Sequence, residues 1–133
     1  MTIERHRSNQ RMSQVVASDS MVFLAGQVAK DATTDIAGQT AQILAQIEEL
    51  LALAGTDKSN LLSANIWLPD IREFQSMNAV WDAWIDGANP PARACVEARL
   101  ARPELKVEIQ VTALRSQARI ADHDPLNPKQ VNE

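Results

Sequence analysis

Apolar and polar residues alternate at the start of the chain, change to a helical rhythm in its middle, and alternate again towards residue 114. The first stretch predicts three short strands at about 3–7, 13–17 and 21–26, with Ser18-Asp19-Ser20 supplying turn chemistry between the last two. From about 34 to 54, Thr40, Leu44, Ile47, Leu51 and Ala54 recur at i, i+4, i+7 spacing, widened by Ile43 and Leu50. That stripe predicts an amphipathic helix, and Gly55 suits the positive φ of its C-terminal end. Residues 61–68 return to period two, with Leu62, Ala64, Ile66 and Leu68 set against Ser63, Asn65 and Trp67, and Pro69 closes that strand. Asp70 followed by Glu73 has the spacing of a capping box. Phe74, Met77, Trp81 and Trp84, flanked by Val80 and Ile85, then mark a second helix ending near Asp86-Gly87.

After the connection Ala88-Asn89-Pro90-Pro91 come two strands, 93–100 and 106–114. The link Ala101-Arg102-Pro103-Glu104 is short enough to suggest that they form an antiparallel pair. Residues 116–133 are polar, carry two prolines and lack periodicity, so they read as a tail following a single domain of residues 1–115. Two striped helices and about six strands predict an α+β two-layer sandwich, a mixed sheet with both helices on one face. In the last strand Val107, Ile109, Val111 and Ala113 point towards the helices, whereas Glu108, Gln110 and Thr112 point away. A helix-free, half-polar sheet face of this kind suits a subunit interface.

Composition narrows the function classes. The chain of 133 residues has no apolar run near the ~20 residues a membrane helix needs, and no apolar stretch behind the charges of its first residues. Cys95 is the one cysteine, so no internal disulfide forms and a cytoplasmic location is expected. A net charge of −4, with two Phe, three Trp and no Tyr, disfavours a nucleic-acid surface and with it RNA cleavage. His6 and His123 lie near opposite ends, and Cys95 has no companion at ligand spacing, so no metal is expected.

The segment PPARACVEARL at 90–100, with KVEIQVTAL at 106–114, resembles the signature of the reactive-intermediate deaminase (Rid, YjgF-like) family. In that signature an alanine–arginine step leads a strand through Cys, Val and Glu, and a second strand carries a basic residue, an aliphatic and a Glu. The resemblance spans about residues 11–114, including FLAGQ at 23–27 and SANIWLPDIREFQSMNAVWDAW at 63–84. Trp81-Asp82-Ala83-Trp84 resembles most the bacterial branch typified by YoaB.

The resemblance implies a chorismate-mutase-like subunit, a homotrimer with clefts between subunits, and no cofactor. It implies hydrolysis of 2-imino (enamine) acids to 2-keto acids and ammonia. Carried over by position, Arg93 is the substrate arginine, Cys95 the strand cysteine, and Glu108 the glutamate associated with water activation. Gly26 is the glycine whose backbone approaches the ligand, and Asn78 the helix asparagine.

Elementary chemistry agrees. A guanidinium holds a carboxylate through two parallel N–H bonds, and a carboxylate can position a water and relay protons to an imine. Each residue also has a plainer reading: Arg93 and Glu108 as surface ion-pair residues, Cys95 as a small filler, Gly26 as a strand end, Trp81 and Trp84 as core. Met12 stands where many members have Tyr, and Ala25 where they have Ser, so two hydroxyls are missing from the implied cleft. The alternative function is therefore a non-catalytic trimeric binding module for a small 2-keto or related carboxylic acid.

Overall fold

In the computed structural model, which describes residues 2–115, the alternating segments become β1 (Glu4–Ser8), β2 (Ser13–Ala17), β3 (Met21–Leu24), β4 (Leu61–Leu68), β5 (Ala92–Glu97) and β6 (Glu108–Leu114). The helical rhythm becomes α1 (Ile36–Leu53) and α2 (Phe74–Trp84). Every element expected from periodicity is present, with boundaries moved by a few residues. The tail expected over 116–133 lies outside the described residues. Among the described residues no helix is long and apolar enough to cross a membrane.

Local chemistry sets the helix ends. Asp35 caps α1 by accepting from the Gly38 amide at 2.9 Å. At the other end Gly55 has φ +73°, its amide donates to the Ala52 carbonyl, and the Thr56 amide donates to that of Leu51. This pair of bonds is a Schellman motif, in which only a residue without Cβ adopts the left-handed turn at little cost. Before α2, Asp70 caps a single 3-10 turn, Ile71–Glu73, by accepting from the Arg72 amide and guanidinium. The reciprocal capping box expected with Glu73 does not form, because the tighter turn brings the Arg72 amide, not that of residue 73, to the Asp70 carboxylate.

The six strands form one sheet in the order β1-β2-β3-β6-β4-β5. All neighbours are antiparallel except β4 and β5, which are parallel. This corrects the antiparallel pair expected from the last two strands. α2 is a crossover that brings β5 back parallel to β4 at the sheet edge, and β6 then inserts on the far side of β4. The strand stops at Glu97, and the whole stretch 98–107 makes the crossing instead of a four-residue turn.

Gln39 of α1 secures that crossing. It is fully buried, donates to the carbonyls of Ala32, Thr34 and Glu104 at 3.1–3.2 Å, and accepts from the Lys106 amide at 2.9 Å. Leu105 and Val107 then enter the core beside it.

Ile43, Leu44, Ile47 and Leu51 of α1, with Met77 and Trp81 of α2, pack against Val15, Val22, Ile66, Leu68, Ile109 and Val111 of the sheet. The opposite face carries no helix. There Phe23 and Val96 are 48% and 51% exposed, and Leu62 projects at the register shift between Leu61 and Ser63.

Replacing Gln39 by Leu keeps the volume but strips partners from three carbonyls and one amide. Because a buried group left unpaired costs about 1–3 kcal/mol and these four belong to half-buried or exposed residues that water can reach, Gln39→Leu is expected to lower unfolding free energy by about 1–3 kcal/mol. A clearly reduced guanidinium midpoint in equilibrium unfolding checks this, and an unchanged midpoint refutes it.

Candidate active site

Register decides which face each candidate occupies. Arg93 lies opposite Ala64, and Ala64 is buried in the core under the helices, so Arg93 faces α2. One turn apart along α2, Phe74, Asn78 and Trp81 present a single stripe to it. Arg93 Nη1 donates to Asn78 Oδ1 at 2.8 Å. Its guanidinium carbon lies 5.3 Å from the Trp81 ring centroid and 5.9 Å from that of Phe74. These contacts orient the planar cation without neutralising it. Among the described residues no carboxylate forms an ion pair with Arg93.

Cys95 follows on the same face, opposite Ile66, and packs half-buried against the core. Burial pushes its thiol above the usual range, and the nearby Arg93 charge only partly opposes this. A protonated thiol in such a place is a poor nucleophile, so the filler reading suits it.

Glu108 lies opposite Trp67, between the buried Val107 and Ile109, and therefore faces the helix-free side. Its carboxyl is half-buried, and that burial raises it above the usual carboxylate range, with no neighbouring donor or cation acting against the shift. The Gly26 backbone passes directly against this carboxyl. A Cβ built at Gly26 would overlap Glu108 Oε2 and approach its Cδ to 3.1 Å. Gly26 thus leaves room for the Glu108 carboxyl in this position, which a larger residue would displace, and it takes no left-handed φ. The adjacent Gln27 pairs its backbone with Ile109, at 2.8 and 3.1 Å, which locks this contact in place.

Two groups of candidates emerge. Arg93, Asn78 and Cys95 come together at the sheet edge under α2. Glu108, Gly26 and Ala25 come together on the open face, Ala25 donating its amide to the Gln14 carbonyl. Met12 stands in the β1–β2 turn, exposed, with its amide bonded to Asn9 Oδ1 at 2.9 Å. A single chain does not bring Arg93 to Glu108, because they lie on opposite faces with β4 between their strands. This corrects the expectation that Arg93 and Glu108 share neighbouring strands. Trp81, expected as core, and Phe74, expected only as part of the α2 stripe, also support the guanidinium. Their i, i+7 spacing around Asn78 was the signal available.

Comparisons with known proteins bear on the family and the fold. Residues 2–115 match the family model described as Endoribonuclease L-PSP. A RutC family protein from Haemophilus influenzae is 42% identical over 114 residues, covering 85% of this chain and 98% of that one. The RutC family protein YoaB from Escherichia coli is 40% identical over 113 residues, with the same coverage. The crystal structure of a YjgF-family protein from Neisseria meningitidis is similar with a TM-score of 0.85 at 46% identity, covering 88% of this chain and 98% of that one. The chain belongs to the Endoribonuclease L-PSP family, which its RutC- and YjgF-named relatives identify with the reactive-intermediate deaminase family that its motifs resemble.

Proposed function

We propose that the protein hydrolyses reactive 2-imino acids to 2-keto acids and ammonia, in a cleft completed between subunits of a homotrimer. The observation that carries this reading is the Arg93 guanidinium, oriented by Asn78 and two ring faces but lacking a carboxylate partner among the described residues. A fork so held is complementary to the carboxylate of a small 2-substituted acid. In the proposed cleft Arg93 of one subunit faces Glu108 and the Gly26 backbone of another.

The chemistry then follows from the two groups. Arg93 fixes the iminium acid, and the Glu108 carboxylate takes a proton from a water as its oxygen adds to the imine carbon. The C=N electron pair moves onto nitrogen. Proton return from Glu108 to nitrogen lets the C–N bond break, and the hydroxyl proton passes to the Glu108 carboxylate as the keto group forms and ammonia leaves. A carboxyl raised by burial holds and returns protons closer to neutrality than an ordinary glutamate.

The uncovered sheet face supports the assembly, since Phe23, Leu62 and Val96 form apolar exposure that closed association would bury. A second reading, a trimer that binds keto acids without turnover, is favoured by one observation. Met12 and Ala25 bring no hydroxyl to the cleft. RNA cleavage, the activity in the family's descriptive label, has little support from a chain of net charge −4.

Light scattering at micromolar concentration is expected to give three subunits, and a monomer would remove the cleft. Arg93→Ala is expected to abolish 2-keto acid binding in calorimetry, with Arg93→Lys recovering little of it because a point charge lacks the fork. Glu108→Gln is expected to keep binding while ammonia release falls roughly a hundredfold to ten-thousandfold. Imino acids generated in situ by an amino-acid oxidase provide the assay. Wild-type turnover in either Arg93→Ala or Glu108→Gln would refute the site.

The raised Glu108 carboxyl also fixes a sign. In the folded state its proton is held to higher pH than in the unfolded chain, so stability falls as pH rises from the unfolded value, ~4.3, through the folded one. Glu108→Gln is therefore expected to melt higher than wild type at neutral pH, with the gap closing below about pH 4. A lower melting temperature at neutral pH would contradict this. Finally, if wild type binds keto acids without releasing ammonia, Met12→Tyr with Ala25→Ser is expected to restore turnover. Continued binding without turnover in that double variant would leave the missing hydroxyls unable to explain the defect.

A further inference from the structure

Between α1 and the β1–β2 hairpin, on the helix side of the sheet, lies a cavity of about 180 Å³. Its polar lining comes from Arg7, Gln14, Gln27, Lys30, Gln46 and Glu49. None of these belongs to the proposed catalytic groups.

The lining is built rather than incidental. Gln27 is only 6% exposed, and its carboxamide is engaged at both ends. Its Nε2 donates to Gln14 Oε1 at 2.8 Å and to the Ala25 carbonyl at 3.0 Å, while its Oε1 accepts from Gln46 Nε2 at 3.2 Å. Gln46 Nε2 also donates to the Val28 carbonyl at 3.1 Å. With Gln14 Oε1 held as an acceptor, the Gln14 amide hydrogens are left as free donors among the described residues.

Charge points the same way. Arg7 donates to Glu49 Oε1 at 3.1 Å, and its bond and charge hold the Glu49 carboxyl below the usual range, with Lys30 adding to the effect. Lys30 itself has no ion pair among the described residues. Two cations therefore face one carboxylate, giving a locally positive pocket in a chain of net charge −4. Arg7 is also the one non-glycine residue described with positive φ, +53°. A left-handed arginine is a strained conformer, and such outliers mark places where the surroundings hold a side chain to a task.

We propose that this cavity is a second ligand site, for a small oxyanion held by Lys30, the Gln14 amide and the N–H groups of Arg7 that Glu49 leaves free. The volume decides the size class. With ~30 Å³ per water, the space suits one phosphate or short carboxylate with a few waters, and it is below the usual range for a drug-sized ligand. Glu49 is then a competitor, repelling the anion and occupying part of Arg7.

The test uses the full chain, with inorganic phosphate and acetate as separate probes in calorimetry and in NMR of the glutamine side-chain amides. Saturable shifts at Gln14, Gln27 and Gln46 are expected. Tighter binding of phosphate identifies a phosphate site, and tighter binding of acetate a carboxylate site. Lys30→Gln and Arg7→Gly, the latter chosen because glycine accepts the positive φ, are each expected to weaken binding about tenfold. Glu49→Gln is expected to tighten it, and Arg93→Ala to leave it unchanged, which separates this site from the catalytic one. No saturable shift with either probe overturns the proposal. So does wild-type affinity in Lys30→Gln and Arg7→Gly, or unchanged or weaker binding in Glu49→Gln.

Discussion

The structure depends on carrying the chain from β5, at the sheet edge, across β4 to β6 inside the sheet. That path runs through 98–107, a mostly exposed stretch whose end turns Leu105 and Val107 into the core, where backbone groups leave one ladder before joining another and need partners. The Gln39 carboxamide meets this need from α1 by bonding Glu104 and Lys106 as well as the start of its own helix. One neutral side chain thus joins the N-terminal end of α1 to the last strand, and the core closes over Leu105 and Val107. An apolar residue there would pack, but it could not satisfy the loop.

The same crossing separates the two groups with candidate chemistry. Because β5 returns parallel to β4 and β6 inserts beyond it, Arg93 lies at an edge under α2, and Glu108 lies inside the sheet facing away from the helices. Gly26 then meets Glu108 because β3 pairs with β6, not because the sequence places them near each other. A catalytic unit using both groups on one small substrate requires a second copy of the chain. In the proposed trimer the topology that completes each fold also leaves each subunit half a site.

Much of this was legible from residue patterns, and the omissions have physical causes. Period two and the α1 stripe located the strands and helices, since burial on one face imposes those spacings directly. Pairing was not legible. Ala101-Arg102-Pro103-Glu104 has turn chemistry, but a local turn says nothing about which strand occupies the neighbouring position. Gln39 and Gln27 were invisible for another reason. Within apolar stripes a buried amide reads as an interruption, and its partners, Glu104 and Lys106 for Gln39, are far away in sequence. The residue types at Arg93 and Glu108 were readable through the family motif, whereas their placement on opposite faces followed from register alone.

That placement gives the proposed site its energetic logic. Among the described residues of a single chain, Arg93 is a cation without an anion, and Glu108 is a half-buried carboxyl without a donor. Glu108 is not at its most favourable in isolation, because burial disfavours its charged form with no partner to offset it, whereas the exposed Arg93 guanidinium stays solvated until an anion arrives. A 2-imino acid offers complementary groups at its two ends, a carboxylate for the guanidinium and a protonated nitrogen for the glutamate. A ligand that bridges the two must hold two subunits together, so binding and assembly become thermodynamically linked, each strengthening the other. On this argument a ligand carrying only the carboxylate satisfies Arg93 and leaves Glu108 unpaired. It should therefore favour the assembly less than one that engages both ends.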